Sequence, residues 1–250
     1  MSSNEVKVKV SHMTKKFGDL LVLNDISFEV KKGEFLCVVG PTGCGKTTFL
    51  NCLTKLGVYQ LTSGEILINN EPVDLQKHNV AYIFQEYSAF PWQTVEENIA
   101  YGLKIKKRPE AEIKARVDEM LDLVGLTEYR NYYPGQLSAS MLQRVSIARA
   151  FAVQPELLLM DEPYGQLDNS LRYKLEDDLL RLWQRTGTTV IFITHNIEEA
   201  VYLSERILVL TNKPTGIKEE IVNDLPRPRD VTGIAFNKLR DKVTDLIKWW

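Results

Sequence analysis

The chain has 250 residues, 44% of them hydrophobic and 26% charged, which is the balance of a globular protein with room for a sizeable core. The formal net charge of −2 argues against general nucleic-acid binding, which shows a basic balance. No apolar run of about 18 residues occurs, which excludes a transmembrane helix, and the polar start Met1-Ser2-Ser3-Asn4-Glu5 lacks the apolar stretch of a signal peptide.

Val6, Val8 and Val10 share one side of an extended segment, and Ile26, Phe28 and Val30, then Ile66 and Ile68, repeat the pattern. These segments predict an antiparallel β subdomain exposed on one face. Nearly continuous apolar runs at 35–39, 157–160, 190–194 and 207–210 predict strands buried on both faces, as in a parallel sheet flanked by helices. Ligands of such sheets bind at the carboxyl ends of the strands.

Residues 95–153 read as helical. Pro109 opens a helix at its first position, Ile113, Val117, Met120, Leu121 and Val124 form its stripe, and Gly125 ends it. A second helix starts at Ser138, with Met141, Val145, Ala148 and Ala152 on one face. Leu225-Pro226-Arg227-Pro228-Arg229 reads as a stiff linker. After it, Ile234, Leu239, Val243, Leu246 and Ile247 predict a C-terminal helix packed on the parent domain, ending at Trp249 and Trp250. The expected organisation is one α/β domain over 1–250. Residues 1–87 and 154–224 form the core with its antiparallel subdomain, 88–153 an inserted helical subdomain, and 225–250 the linker and last helix. Cys37 and Cys52 read as small core residues, and Cys44 is expected to be exposed when no nucleotide is present.

Gly40-Pro41-Thr42-Gly43-Cys44-Gly45-Lys46-Thr47 fits the phosphate-loop pattern, between an apolar strand and a helix holding Phe49, Leu50 and Leu53. Its glycines let backbone N–H groups converge on phosphates without Cβ clashes, and the helix start adds partial positive charge. Lys46 reaches the β- and γ-phosphates in such a loop and Thr47 ligates Mg²⁺; Thr48 is counted with residues 40–47 as nucleotide-binding. Asp161 and Glu162 end the buried run 157–160, which suits Asp161 as a metal ligand and Glu162 as the general base for an attacking water; the alternative is a solvated turn. Gln85 and His195 also follow apolar segments. Gln85 can ligate Mg²⁺ or be plain surface, and His195 can contact the γ-phosphate or be structural. Phe17 can stack on adenine or belong to the core.

Taken in order, Phe17, residues 40–48, Gln85, residues 137–143, residues 161–168 and His195 resemble the ATPase subunit of ABC transporters, over about residues 6–229. The resemblance implies a P-loop NTPase (RecA-like) core with an antiparallel β subdomain and an inserted helical subdomain. It implies ATP and Mg²⁺ as cofactors. Phe17 would be the adenine-stacking aromatic, Gln85 the glutamine linking Mg²⁺ and water to the membrane partner, Asp168 part of a loop reaching across a dimer, and His195 the switch histidine. Two copies, or paired ATPase subunits, would bind ATP head to tail, between residues 40–48 of one and 138–141 of the other. Integral membrane permease subunits would dock the pair at the cytoplasmic face, with an extracytoplasmic solute-binding protein as indirect partner and no nucleic acid. Residues 161–168, 194–203 and 225–229 are similar to the importer branch for nitrate, sulfonates and taurine.

One motif departs from the family. The signature Leu-Ser-Gly-Gly-Gln stands here as Leu137-Ser138-Ala139-Ser140-Met141. Ser138 is a good N-cap and the helix start still attracts anions, yet Ala139 and Ser140 each add a Cβ where the backbone approaches phosphate. Retained hydrolysis is the expectation. The rivals are a weakly hydrolysing regulatory subunit and a non-transport ABC ATPase. The latter often carries two cassettes or a coiled coil, neither of which is present here.

Overall fold

The computed structural model describes residues 5–165 and 169–247. Asp168, Trp249 and Trp250 lie outside them. The chain divides into two compact units, Met1–His78 with Thr189–Trp250, and Asn79–Thr188.

The opening stretch of the first unit holds β1 (Val6–Phe17), β2 (Leu20–Lys31), β3 (Phe35–Val39), α1 (Lys46–Cys52), β4 (Ser63–Ile68) and β5 (Glu71–Pro72). The second unit holds β6 (Val80–Ile83), α2 (Val95–Ile105), α3 (Glu110–Leu123), α4 (Ala139–Ala152), β7 (Leu157–Asp161) and α5 (Asn169–Thr186). The chain then returns to the first unit through β8 (Thr189–Ile193), α6 (Ile197–Leu203), β9 (Arg206–Leu210), β10 (Ile217–Val222) and α7 (Ile234–Ile247).

Alternation builds the antiparallel sheet, whose order is β2-β1-β4-β5. Val8 pairs with Val30 and Ile68, and Val10 with Phe28 and Ile66, so all six side chains share one buried face. Phe28 of that face stacks on Phe49 of α1, with ring centroids 5.2 Å apart. The predicted half-exposed sheet therefore backs the helix that follows the phosphate loop.

The four apolar runs are strands with every residue of β3, β7 and β8 buried, as two-faced burial requires. In the first unit β3 pairs in parallel with β8 and with β9. The antiparallel edge strand β10, beside β9, was not predicted, because three of the six residues of Ile217–Val222 are charged and they break the apolar alternation. In the second unit β6 and β7 pair in parallel.

Helix ends follow their chemistry. Thr94 and Glu97 form a reciprocal capping box at α2, Gly125 follows the C-cap of α3 at φ +65°, and Ser138 caps α4. Pro109 is the residue before α3 rather than its first helical position. The single stripe expected on α4 is too narrow. Val145, Ile147, Ala148, Phe151 and Ala152 are buried around most of its circumference, because α2, α3, α5 and β6 all pack on it. On α7 the buried anchors are Phe236 and Val243, while Ile234, assigned to the stripe, is exposed. No described helix is long and apolar enough to cross a membrane.

One side chain of α2 makes four bonds to the segment after β6. Asn98 of α2 is fully buried; its Oδ1 accepts from Phe90 N at 2.8 Å, and its Nδ2 donates to Phe90 O, Gln93 O and Thr94 O at 3.2, 3.1 and 3.0 Å. Removing it takes the side-chain partner from Phe90 N and Gln93 O. Asn98→Ala is expected to lower unfolding free energy by about 3 kcal/mol. Urea titration should show an earlier midpoint at unchanged slope. A midpoint equal to that of the parent chain would mean that this segment is held by other bonds.

Candidate nucleotide site

The phosphate loop leaves β3 at Val39 and closes into α1, where Phe49 N donates to Gly45 O at 2.8 Å. Three glycines have three different reasons. Gly43 sits at φ +76° in open space, so its need is conformational. Gly45 sits at φ +111°, and a Cβ there would stand 2.9 Å from Val22 Cγ1. At Gly40 a Cβ would stand 3.0 Å from Leu210 Cβ and 3.1 Å from Cys44 Sγ, so the missing side chain is what lets the cysteine turn inward. Cys44 is thus only 1% exposed, contrary to the expected exposure of its thiol. Burial raises its pKa, with Lys46 opposing.

Lys46 is buried and its Nζ donates to Gly40 O and Pro41 O, each at 3.1 Å. Thr215, wholly buried after β9, donates from Oγ1 to Cys44 O and ties the loop to the sheet. Thr42, Gly43 and Thr47 are exposed and Thr48 is half-buried. Phe17, at the end of β1, is 37% exposed. The Lys15 ammonium lies 4.5 Å from its ring centroid and Tyr59 meets its edge at 6.1 Å.

His195 belongs to the same edge. β3 and β8 run in parallel with Val38 opposite Ile193, and Thr194 N donates to Val38 O at 3.2 Å. The chain therefore leaves both strands at one carboxyl end, towards Gly40 and towards His195, which is exposed.

The second unit repeats the device. Ile83 pairs with Met160, so Gln85 and the pair Asp161 and Glu162 leave adjacent parallel strands at one end. Asp161 is buried, and Tyr82 donates to its Oδ2 at 3.4 Å. Gln85 is exposed and Glu162 half-buried. Glu162 also holds φ +44°, a left-handed conformation that costs a non-glycine residue about 1–3 kcal/mol and clusters at functional sites. Ser138 caps α4 by accepting from Met141 N at 3.4 Å, and its hydroxyl shares a 3.1 Å hydrogen bond with Ser140. Ala139 at the helix start is exposed. Asp168 lies outside the described residues.

Sequence reasoning missed three contributors: Thr215, the backbone of Glu162, and Arg149 of α4. Arg149 donates from Nη1 to Ser88 O at 2.8 Å and lies 5.0 Å from the Phe90 ring centroid. Burial lowers its pKa. An arginine in the last turn of a helix was legible as favourable to the dipole, but its partner was not.

The donors fit a magnesium-bound nucleotide. A buried lysine beside a loop of positive-φ glycines, opening a helix, is an anion cradle. Among the described residues no three His, Cys, Asp or Glu side chains converge as a metal cage. A hydroxyl such as that of Thr47 suits Mg²⁺, which is usually held by few protein groups together with phosphate oxygens and water.

The sequence pattern of the ABC transporter family matches residues 23–165, more than half of the chain. The chain belongs to the ABC transporter family. It is 42% identical over 248 residues to an uncharacterized ABC transporter ATP-binding protein of Methanocaldococcus jannaschii, covering 98% of this chain and 92% of the relative. It is 42% identical over 243 residues to an aliphatic sulfonates import ATP-binding protein of Bacillus thuringiensis, covering 97% and 94%. Among solved structures, a component of an ABC transporter complex from Clostridium perfringens superposes with a TM-score of 0.79 at 25% identity, covering 88% of this chain and 89% of the other. The dimeric structure of a bacterial ABC transporter cassette superposes at 0.75 and 32%, covering 86% and 98%, and the same cassette is known as a dimer with ADP and Pi. The chain is thus an ABC ATPase, a nucleotide-binding transporter subunit with the P-loop NTPase fold expected from its motifs.

The glycines make a graded prediction. Gly43→Ala meets only the backbone cost of about 1–2 kcal/mol, whereas Gly45→Ala adds a steric clash and should cost about 1–3 kcal/mol more. Thermal unfolding without nucleotide should rank them in that order. The reverse ranking would contradict the close approach of Val22.

Proposed function

We propose that this chain hydrolyses Mg·ATP to drive uptake of a small anionic or organic solute through an ABC importer, with sulfonates, nitrate or taurine as the solute class. The carrying observation is the shared carboxyl edge of β3 and β8, which brings Lys46 and Thr47 on one side and His195 on the other to the place where a triphosphate would lie. The solute class rests on the sulfonate-import name of the Bacillus relative and on the residues at 161–168, 194–203 and 225–229.

In this reading the amides of residues 40–48 hold the phosphates and Lys46 neutralises the β- and γ-groups. Phe17 stacks on adenine through the ring face away from Lys15. Thr47, Gln85 and Asp161 are the residues that would hold Mg²⁺, and the ion would neutralise charge on the phosphate oxygens. Glu162 orients water and accepts its proton, and His195 contacts the γ-phosphate. Two copies pair head to tail in the ATP-bound state, with residues 138–141 and Asp168 facing the partner's nucleotide; the dimeric cassette structures support pairing of two copies. The helical subdomain 88–153 carries this signature helix. Residues 86–94 receive a permease element, with Trp92, 71% exposed, as aromatic anchor. The subunit would then work peripherally at the cytoplasmic face of the membrane, with an extracytoplasmic binding protein delivering solute to the permease.

Glu162→Gln should keep ATP affinity, abolish turnover and trap a dimer seen by size exclusion; near-normal turnover would refute its role as base. Lys46→Ala should lose the stabilisation that saturating Mg·ATP confers, about 2.7 kcal/mol at a hundredfold excess over Kd. An undiminished thermal shift in that variant would overturn the loop assignment.

The hydrogen bond between Ser138 and Ser140 favours a second reading, in which the signature hydroxyl is diverted and hydrolysis is slow. Restoring glycine at Ala139 and Ser140 separates the two. With permease present, a rise of about a hundredfold in turnover, some 2.7 kcal/mol of barrier, would establish the slow form. A change within a few-fold supports a natural motif that works.

A further inference from the structure

Residues 225–229 were expected to form a linker, yet two of their side chains point back into the first unit. Their target is α6, the helix that begins just after His195. With seven residues, α6 is well short of the roughly 12–15 needed for a helix to stand alone. Asn196 caps its start, Oδ1 accepting from Glu198 N at 3.0 Å and Glu199 N at 3.3 Å. At its other end, the carbonyls of residues 201–204 lie beyond the reach of donors within the helix.

All four are taken by three side chains from residues 223–229. Arg229 Nη1 donates to Val201 O at 2.7 Å and Tyr202 O at 2.9 Å. Arg227 donates to Tyr202 O at 3.2 Å and to Leu203 O. Asn223 Nδ2 donates to Val201 O at 2.8 Å and Ser204 O at 3.1 Å. The clamp is braced on its own segment, since Arg229 also donates to Asn223 O at 3.3 Å and Leu225 O at 3.4 Å. Both Asn223 and Arg229 are buried.

A glycine cap would satisfy two of these carbonyls without burying charge. Burying a guanidinium is costly; here carbonyl dipoles at the negative end of a helix offset that cost. Burial pulls Arg229 down to about 10, so it remains charged at neutral pH. What the fork adds is direction, because a planar guanidinium bonded to successive carbonyls fixes orientation as well as position. α7 packs against α6 as well.

We propose that Asn223, Arg227 and Arg229 are positioning residues for His195, clamping the far end of α6 so that the helix is a rigid arm presenting the histidine to the phosphate loop. The inference rests on His195 being the γ-phosphate contact. An arm of this length, about 10 Å, that tilts by about 10° moves its start by about 2 Å. Misplacement of about 1 Å can cost on the order of 100-fold in rate.

A double-mutant cycle on the full-length chain tests it, with kcat and ATP Kd measured separately. Arg229→Gln is expected to lower kcat about tenfold or more while Kd stays within about threefold. In a His195→Ala background the same substitution should change kcat by less than about twofold, because the residue it positions is gone. Arg229→Lys, which keeps charge but loses the fork, should fall between, and it replaces Arg229→Gln in the cycle if that variant does not fold. Wild-type kcat in Arg229→Gln overturns the proposal. Equal losses in both backgrounds also overturn it, leaving the clamp a purely structural one. Wild-type kcat in His195→Ala alone, where no clamp residue is touched, overturns the reading of the histidine and the proposal with it.

Discussion

Between β3 and β8 a parallel ladder runs in fixed register, Phe35 opposite Val190 through Val38 opposite Ile193, and both strands end at the same edge. A slip of one residue would turn the side chains of one strand to the opposite face and break the close packing that the Phe35 and Phe192 rings make across the pair. Fixed register means fixed exits. The loop from 40 to 48 and the turn into His195 begin one strand spacing apart, and everything assigned to the triphosphate in the first unit inherits its position from that pairing. The packing behind it is apolar and close, with the Phe35 and Phe192 rings at 5.9 Å and Phe28 stacked on Phe49 of α1.

Much of this was legible in the sequence because each signal was local. Valine alternation gave the antiparallel sheet, the unbroken runs gave the inner strands, and glycine spacing with a lysine gave the loop. What was not legible depended on distant partners. Nothing around Thr215 marks it as a prop for Cys44 O, 171 positions away. Nothing around Arg149 announces Ser88. Glu162 carries its unusual backbone angle without a glycine or asparagine to flag it. The misreadings have the same origin. Cys44 was judged by its motif, yet its burial is decided by the absent side chain of Gly40. The stripe on α4 was judged by periodicity, yet four neighbours surround that helix. The arginines at 227 and 229 were judged by adjacent prolines, yet they act on a helix more than 20 residues earlier.

The second unit shows how a polar interior can stay ordered. Asn98 and Arg149 bond backbone groups between Ser88 and Thr94, among them Ser88 O, Phe90 N and Gln93 O, and the Phe90 ring rests against the Arg149 guanidinium. A segment held in this way keeps a defined path while its flanking aromatic Trp92 remains at the surface. Binding groups in surface segments are best presented from such supports, since order already present need not be gained on association. Ser138 sits at the opposite end of the helix that carries Arg149, so the loop support and the signature serine are parts of one element.

All three native thiols are buried, and burial raises each pKa, Cys52 to about 11 and Cys37 well above its ordinary value. Thiolate is the reactive form, so burial and raised pKa both slow attack by these three cysteines on maleimides and disulfide reagents. A single cysteine introduced on the surface could then carry a fluorophore or spin probe without first deleting the natural ones. The inward turn of one sulfur in the nucleotide loop thus leaves the wild-type sequence ready for distance measurements during the ATP cycle.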